Sequence, residues 1–189
     1  FKSYRNLKEN LLSRDIISMK VDGGNWGFAS NFIHYLDLFS FLSESLSIKK
    51  IDHNFSKLYK SKRKNFIEFD GYILLKSKNN DLLFVNENKK SNSPITIEIS
   101  TINFKIIIFE NLSKAILFRK QNNWKEEIID FDIEKQSYLT RYIIEDILNK
   151  YECQLIKLEN SYILNELMLN IFLNHYKNYN KKALFIPIT

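Results

Sequence analysis

Between Ile48 and Arg119 the chain is a succession of short runs rich in β-branched and aromatic residues: Ile48 to Ile51, Phe66 to Leu75, Asp81 to Val85, Ile95 to Ser100, Lys105 to Phe109 and Lys114 to Arg119. Polar stretches such as Lys78-Asn79-Asn80 and Asn88 to Ser93 separate them. Runs of this length, punctuated by turn-forming residues, predict strands joined as an antiparallel meander. An apolar sheet face must be covered, and the flanking segments supply helices to cover it. Tyr4 to Leu12 carries Tyr4, Leu7, Leu11 and Leu12 on one side, and after Arg14 and Asp15 a strand, Ile16 to Val21, is expected. A helix running to about Glu44 follows. Ser137 to Lys150 presents Leu139, Tyr142, Ile143, Ile147 and Leu148, and a longer helix opening at Asn160 or Ser161 runs to about Tyr176. Ala183 to Thr189 reads as a short final strand or tail, with Pro187 favouring an edge or non-strand position. The fold expected is α+β: one mostly antiparallel open sheet with helices packed on one face, a single domain over residues 1–189.

A hydrophobic content of 44% and an aromatic content of 14% exclude a disordered chain. Cys153 is the only cysteine, so no internal disulfide forms, which points to a reducing, cytoplasmic setting. No apolar run reaches transmembrane length and the first residues lack the apolar core of a signal peptide, so no membrane partner is expected. The chain begins at Phe1 rather than methionine, as expected of a processed chain or one cut from a longer protein. The net charge of +6 comes from lysines scattered along the sequence, and no nucleic-acid partner is expected. The one dense basic run, Lys57 to Lys64, reads either as a phosphate-binding strip or as a solvated loop.

The chemistry concentrates between Gly23 and Leu42. Three of the four glycines, Gly23, Gly24 and Gly27, lead into a segment where Phe32, Ile33, Leu36, Phe39 and Leu42 recur at helical spacing. Ala29, Ser30 or Asn31 is expected to cap that helix. On it, Ser30, His34 and Asp37 fall on neighbouring rows. A histidine there either faces a cleft, where it can exchange a proton with an alcohol or carbonyl, or is half-buried and bonded to Asp37 or the backbone. Trp26 either stacks on a ligand ring or plugs the core beneath the turn. His53 and His175 have no partner at metal-like spacing, and Glu126, Glu127, Asp130 and Asp132 read as solvated charge. There is no phosphate loop, nucleophile elbow or zinc pattern.

The stretch SNFIHYLDLFSFL resembles a segment of the Gfo/Idh/MocA oxidoreductases, the glucose-fructose oxidoreductase and inositol dehydrogenase family. There the pattern D-x-G-x-H-x-x-D opens a helix lining the substrate cleft. His34 and Asp37 match its last two marked positions, and Leu38 and Leu42 fit the apolar continuation; Ser30 replaces the aspartate and Phe32 the glycine. The resemblance implies the C-terminal substrate-binding and oligomerisation domain of an enzyme acting on a sugar or nucleotide sugar, in a branch tied to bacterial surface-polysaccharide synthesis. It implies NAD or NADP held by an N-terminal Rossmann domain that this chain lacks, so the domain alone is expected to be inactive. His34 would be the acid or base at the substrate hydroxyl. Asn25, Trp26, Ser30, Asn31 and Asp37 would bind substrate, with Lys62 and Arg63 reaching an anionic substituent. A homo-oligomer would form through the free sheet face. The serine at position 30 leaves open an alternative, a non-catalytic carbohydrate-binding or assembly module that keeps the fold.

Overall fold

The alternating runs do pair, but not as a simple meander. In the computed structural model, which describes residues 2–11, 15–134, 136–151 and 155–188, an eight-stranded sheet has the order β10-β9-β8-β7-β1-β6-β5-β2. Its strands are β1 (Ser18–Gly23), β2 (Ile48–Phe55), β5 (Gly71–Ser77), β6 (Leu82–Glu87), β7 (Thr96–Ser100), β8 (Phe104–Phe109), β9 (Lys114–Arg119) and β10 (Glu126–Asp130). A separate two-stranded ribbon is formed by β3 (Tyr59–Lys60) and β4 (Ile67–Glu68). The helices are α1 (Lys2–Leu11), α2 (Phe28–Ser43), α3 (Gln136–Lys150) and α4 (Leu158–Tyr176). Leu12, Arg14, Cys153 and Thr189 lie outside the described residues.

The expected mostly antiparallel sheet is present, with one parallel pair at its centre. β1 enters between β7 and β6, running parallel to β6 from Ser18 opposite Leu82 to Gly23 opposite Glu87. The buried carboxylate of Asp81 sets this register. Asp81 accepts the Ile17 N–H at 2.9 Å and the Ser77 hydroxyl at 2.6 Å, while the Leu82 N–H donates to the Ile17 carbonyl at 2.9 Å. A side chain from the β5–β6 turn thus receives the incoming strand, satisfying a donor that would otherwise be buried unpaired.

Several expectations are corrected. The run Phe66 to Leu75 is two elements, because Gly71, at φ +118°, sits where a Cβ would stand 2.0 Å from the Asn54 carbonyl oxygen. The stretch with Glu126, Glu127 and Asp130 forms the edge strand β10, which the pattern did not suggest; Glu126 and Asp130 are solvent-exposed charge as expected, and Glu127 pairs with Arg119 at 3.0 Å. Of the two readings for the C-terminus the tail holds: Ala183 to Ile188 forms no strand, and its Pro187 carbonyl accepts the Ile67 N–H at 2.9 Å and anchors the ribbon. Along α3, Tyr142, Ile147 and Leu148 remain exposed instead of covering the sheet.

The buried face of the sheet carries Met19, Val21, Ile73, Leu75, Leu83, Val85, Ile97, Ile99, Ile106, Ile108 and Leu117, with α2 and α4 packed over it. The opposite face holds Leu74, Phe84, Ile107, Ile116 and Phe118, all half-exposed. Phe118 pairs with Lys105 and so sits across the sheet from Phe104, not beside it as its number suggests; the turn between strands resets the alternation. Between α2, α4 and β4 the core is an aromatic cluster. Phe69 lies 4.9 Å from both Phe55 and Phe172, and Phe32 lies 5.5 Å from Phe28 and from Phe172. His175 closes the cluster: its Nε2–H donates to the Ser56 carbonyl at 3.0 Å, and burial lowers its pKa, which suits a neutral ring among phenyl groups.

Phe172 has no exposed surface and joins α4 to α2 and the ribbon. Truncating it as Phe172→Ala is expected to cost about 3–5 kcal/mol, by transfer loss plus the cavity left behind. Urea unfolding checks this, and a loss below about 1 kcal/mol would mean the cluster closes over the gap.

Candidate functional site

The glycine turn does what its composition predicts, but the cap on the helix comes from elsewhere. Gly27 occupies the N-cap position of α2 in the left-handed region, at φ +83°, and makes no side-chain cap because it has none. Neither Ala29, Ser30 nor Asn31 caps the helix. All three are already inside it, since α2 begins at Phe28. The orphan donors go instead to Glu68, thirty-nine residues beyond Ala29, on strand β4. Its Oε2 accepts the Ala29 N–H at 2.8 Å and its Oε1 accepts the Ser30 N–H at 3.2 Å. The Ser30 hydroxyl also donates to Oε1. A carboxylate at a helix N-terminus is favoured both by these bonds and by the helix dipole.

Above this cap lies a cavity of about 510 Å³. Asn25, Trp26, Ser30, Asn31 and His34 line one side of it, and Tyr59, Lys60, Ser61, Lys62 and Arg63 the other, with Glu68 and Lys89 completing the wall. The turn and helix predicted from the sequence therefore meet the basic run, whose Lys62 and Arg63 lie on the loop of the β3–β4 ribbon. Every residue singled out from the sequence for catalysis or substrate binding converges here except Asp37. Asp37 lies one turn beyond His34, half-buried, its pKa raised by burial while the neighbouring imidazole pulls it down. His34 itself is exposed at the cavity wall, so it is not the half-buried histidine of the structural alternative. Trp26 packs against the core beneath the turn and also lines the cavity. Its ring lies 5.4 Å from Phe28 and 5.2 Å from Tyr35, and its buried Nε1–H has no acceptor among the described residues. Asn31 donates its amide to the Trp26 carbonyl at 2.8 Å and to the Gly27 carbonyl at 3.1 Å, which holds the turn closed.

Charge is segregated within the site. The cations Lys60, Lys62, Arg63 and Lys89 are exposed around the opening, whereas Glu68 is 5% and Glu87 only 2% exposed. Neither oxygen of Glu87 makes a well-formed hydrogen bond; the Gly27 and Phe28 amides and the Tyr59 hydroxyl face it from poorer geometry. Burial, then Glu68, then Asp70 push its carboxyl up to about 7. Burial and the same carboxylates hold the Tyr59 phenol firmly protonated, and Lys89 places its ammonium 3.2 Å from the centre of that ring. Sequence reading missed Glu68, Glu87 and Tyr59 as a group. A glutamate amid strand-like residues carries no local mark, and only the fold brings it to the helix end. Among the described residues no three acidic, histidine or cysteine side chains are placed to hold a metal ion, and no helix is long and apolar enough to cross a membrane.

No family model matches the sequence, and no curated protein matches it. Solved structures do. A dehydrogenase, MviM, from Clostridium difficile is 16% identical with a TM-score of 0.66, covering 92% of this chain and 58% of its own. The UDP-N-acetylglucosamine 3-dehydrogenase GnnA from Acidithiobacillus ferrooxidans is 9% identical with a TM-score of 0.62, covering 90% and 57%. The 3-ketoreductase KijD10 from Actinomadura kijaniata, solved in an open conformation with TDP-benzene and NADP, is 10% identical with a TM-score of 0.61, covering 88% and 54%. The chain thus shares its fold with part of these oxidoreductases. The chain spans little more than half the length of these structures.

Glu87 gives the site a pH signature. Its folded pKa of about 7 stands above the ordinary 4.5, so the folded state holds the proton more tightly than the unfolded one. The stability this contributes is complete below about 4.5 and is lost as pH rises through about 7. Glu87→Gln is therefore expected to melt with the wild type at low pH and above it at pH values beyond about 7. Paired thermal melts across that range check this, and a difference independent of pH would refute it.

Proposed function

We propose that this chain is the substrate-binding part of an NAD(P)-dependent oxidoreductase acting on a sugar or nucleotide sugar. The observation that carries this reading is the cavity where His34, on the first turns of α2, faces the cationic ribbon loop across a carboxylate floor. Asn25 and Asn31 offer amide groups to ring hydroxyls, and Trp26 offers an aromatic face. Lys62 and Arg63 suit the phosphate groups of a nucleotide sugar. The UDP-sugar named for GnnA and the TDP-benzene and NADP bound to KijD10 support the same substrate and cofactor classes.

The dinucleotide does not fit the glycine turn of this chain, although a strand, a glycine-rich turn and a helix occur there in order. A pyrophosphate would need the amides at the head of α2, and Glu68 already occupies those of Ala29 and Ser30 with a negative charge. In this reading the nicotinamide is held by another part of the protein, where it serves as the hydride acceptor or donor. A span of little more than half the matched structures, and the exposed Tyr142, Ile147 and Leu148 on α3, suit a chain that packs against further structure. Within this chain His34 takes the proton of the reacting hydroxyl in oxidation and returns it in reduction. Asp37 stands on the next turn, outside the cavity. The serine at position 30 is not without a carboxylate: it hydrogen-bonds to Glu68, so negative charge stands close to where the family pattern has its aspartate.

Two copies pair through the open sheet face in this reading. Leu74, Phe84, Ile107 and Ile116 lie in one cross-strand row with Lys20 and Glu98 between them. Such a surface is self-complementary about a twofold axis.

The reaction is tested by nicotinamide absorbance on the full-length protein, with neutral sugars and nucleotide sugars, comparing wild type with His34→Ala. Turnover should fall by about two orders of magnitude or more while cofactor binding persists. Turnover indifferent to the change would remove His34 from the chemistry, and sugar binding without turnover would favour a non-catalytic module. For the assembly, light scattering should give a dimer for the wild type and a monomer for Phe84→Lys with Ile107→Lys; a monomeric wild type would refute the pairing.

A further inference from the structure

We infer that the buried carboxylates make this site selective for a glycosyl ring without charge, and that Glu68 is the residue that decides it. The inference rests on the nucleotide-sugar reading above and names which members of that class the site accepts. The cavity has two electrical ends. Every cation that lines it is exposed at the opening: Lys60, Lys62 and Arg63 on the ribbon, and Lys89 on the loop after β6. The cavity wall also holds Glu68, which is buried, and its charge and that of half-exposed Asp70 both act on the buried Glu87.

A ligand that is anionic at one end and neutral at the other lies in such a field in one direction only, phosphates outward and ring inward. The floor is also chemically specific. Glu68 Oε1 accepts the amide and hydroxyl of Ser30, and Oε2 accepts the Ala29 amide. A carboxylate accepts and cannot donate, so at this wall a ring hydroxyl meets an acceptor. A ring carboxylate brings no proton and sets a second negative charge against a buried one. The α2 amides that would neutralise an incoming anion are the same ones Glu68 has taken. Glu68 is thus both the acceptor for a hydroxyl and the barrier to an acid.

UDP-glucose and UDP-glucuronate isolate this point, since they differ only in a hydroxymethyl against a carboxylate on the ring. Titration calorimetry on the full-length protein, with UDP alone as the reference for the outer end, reads the discrimination directly. Wild type is expected to bind UDP-glucose at least about tenfold more tightly than UDP-glucuronate. Glu68→Gln, which keeps an oxygen for the α2 amides, should bring the two within about threefold by strengthening the glucuronate. Glu87→Gln leaves the bonds of Glu68 to α2 in place and should narrow the gap in the same direction to a smaller degree, which keeps the test valid if Glu68→Gln fails to fold.

Equal binding of the two sugars by the wild type, or an equal effect of Glu68→Gln on both, would overturn the inference and leave the nucleotide-sugar reading standing. UDP binding as tightly as UDP-glucose would overturn it too, because the ring would then lie outside the floor. Failure of all three to bind would overturn the nucleotide-sugar reading, and the inference with it.

Discussion

The structure depends on one carboxylate at the head of one helix. Glu68, from a two-residue strand, accepts the Ala29 and Ser30 amides and the Ser30 hydroxyl, and so ties the β3–β4 ribbon to the start of α2. Without it the first turn of α2 would end buried donors against an apolar cluster of phenyl rings. With it, the ribbon is held across from the helix and a cavity opens between them. The price is a buried negative charge, and it adds to burial, the larger cause, in holding the protons of Glu87 and Tyr59 more tightly than usual.

The same bond explains why a strand, a glycine turn and a helix in sequence do not make a nucleotide site here. Phosphate recognition at such a turn relies on free amides at the helix head. In this chain those amides are already committed to the protein's own carboxylate. The cations suited to phosphate stand instead on the ribbon loop, at Lys62 and Arg63, where side chains rather than backbone would make the contact. In the proposed reading an anion is met at the opening, and the interior takes groups that donate hydrogen bonds.

The core underneath supports this arrangement from two sides. Asp81 docks β1 into the centre of the sheet, which aims the glycine turn at the ribbon. The aromatic cluster of Phe28, Phe32, Phe55, Phe69 and Phe172, closed by a neutral His175, joins α2, α4 and the strand that carries Glu68. Phe69 follows Glu68 directly in the chain, so packing of that ring and placement of that carboxylate are one event. The fold is shared with much longer oxidoreductases at 9–16% identity, so the core geometry persists through extensive change of sequence.

By itself the sequence determined the local elements: helical spacing around Phe32, Leu36 and Phe39, β-branched alternation along β7 to β9, and the gathering of Asn25, Trp26, Ser30, Asn31 and His34 about a glycine turn. These are legible because each depends on residues within one or two turns of each other. The tertiary structure alone decided where β1 pairs, since a strand's partner is chosen by burial and by a carboxylate sixty-four positions away. It alone decided that Lys62 and Arg63 face His34, that Asp37 does not line the cavity, and that Phe118 and Phe104 lie on opposite faces. Above all it decided the cap of α2. Local pattern offered Ser30 as the acceptor for the helix amides; the folded chain makes Ser30 a donor to Glu68, because a full negative charge at a buried helix head outcompetes a hydroxyl.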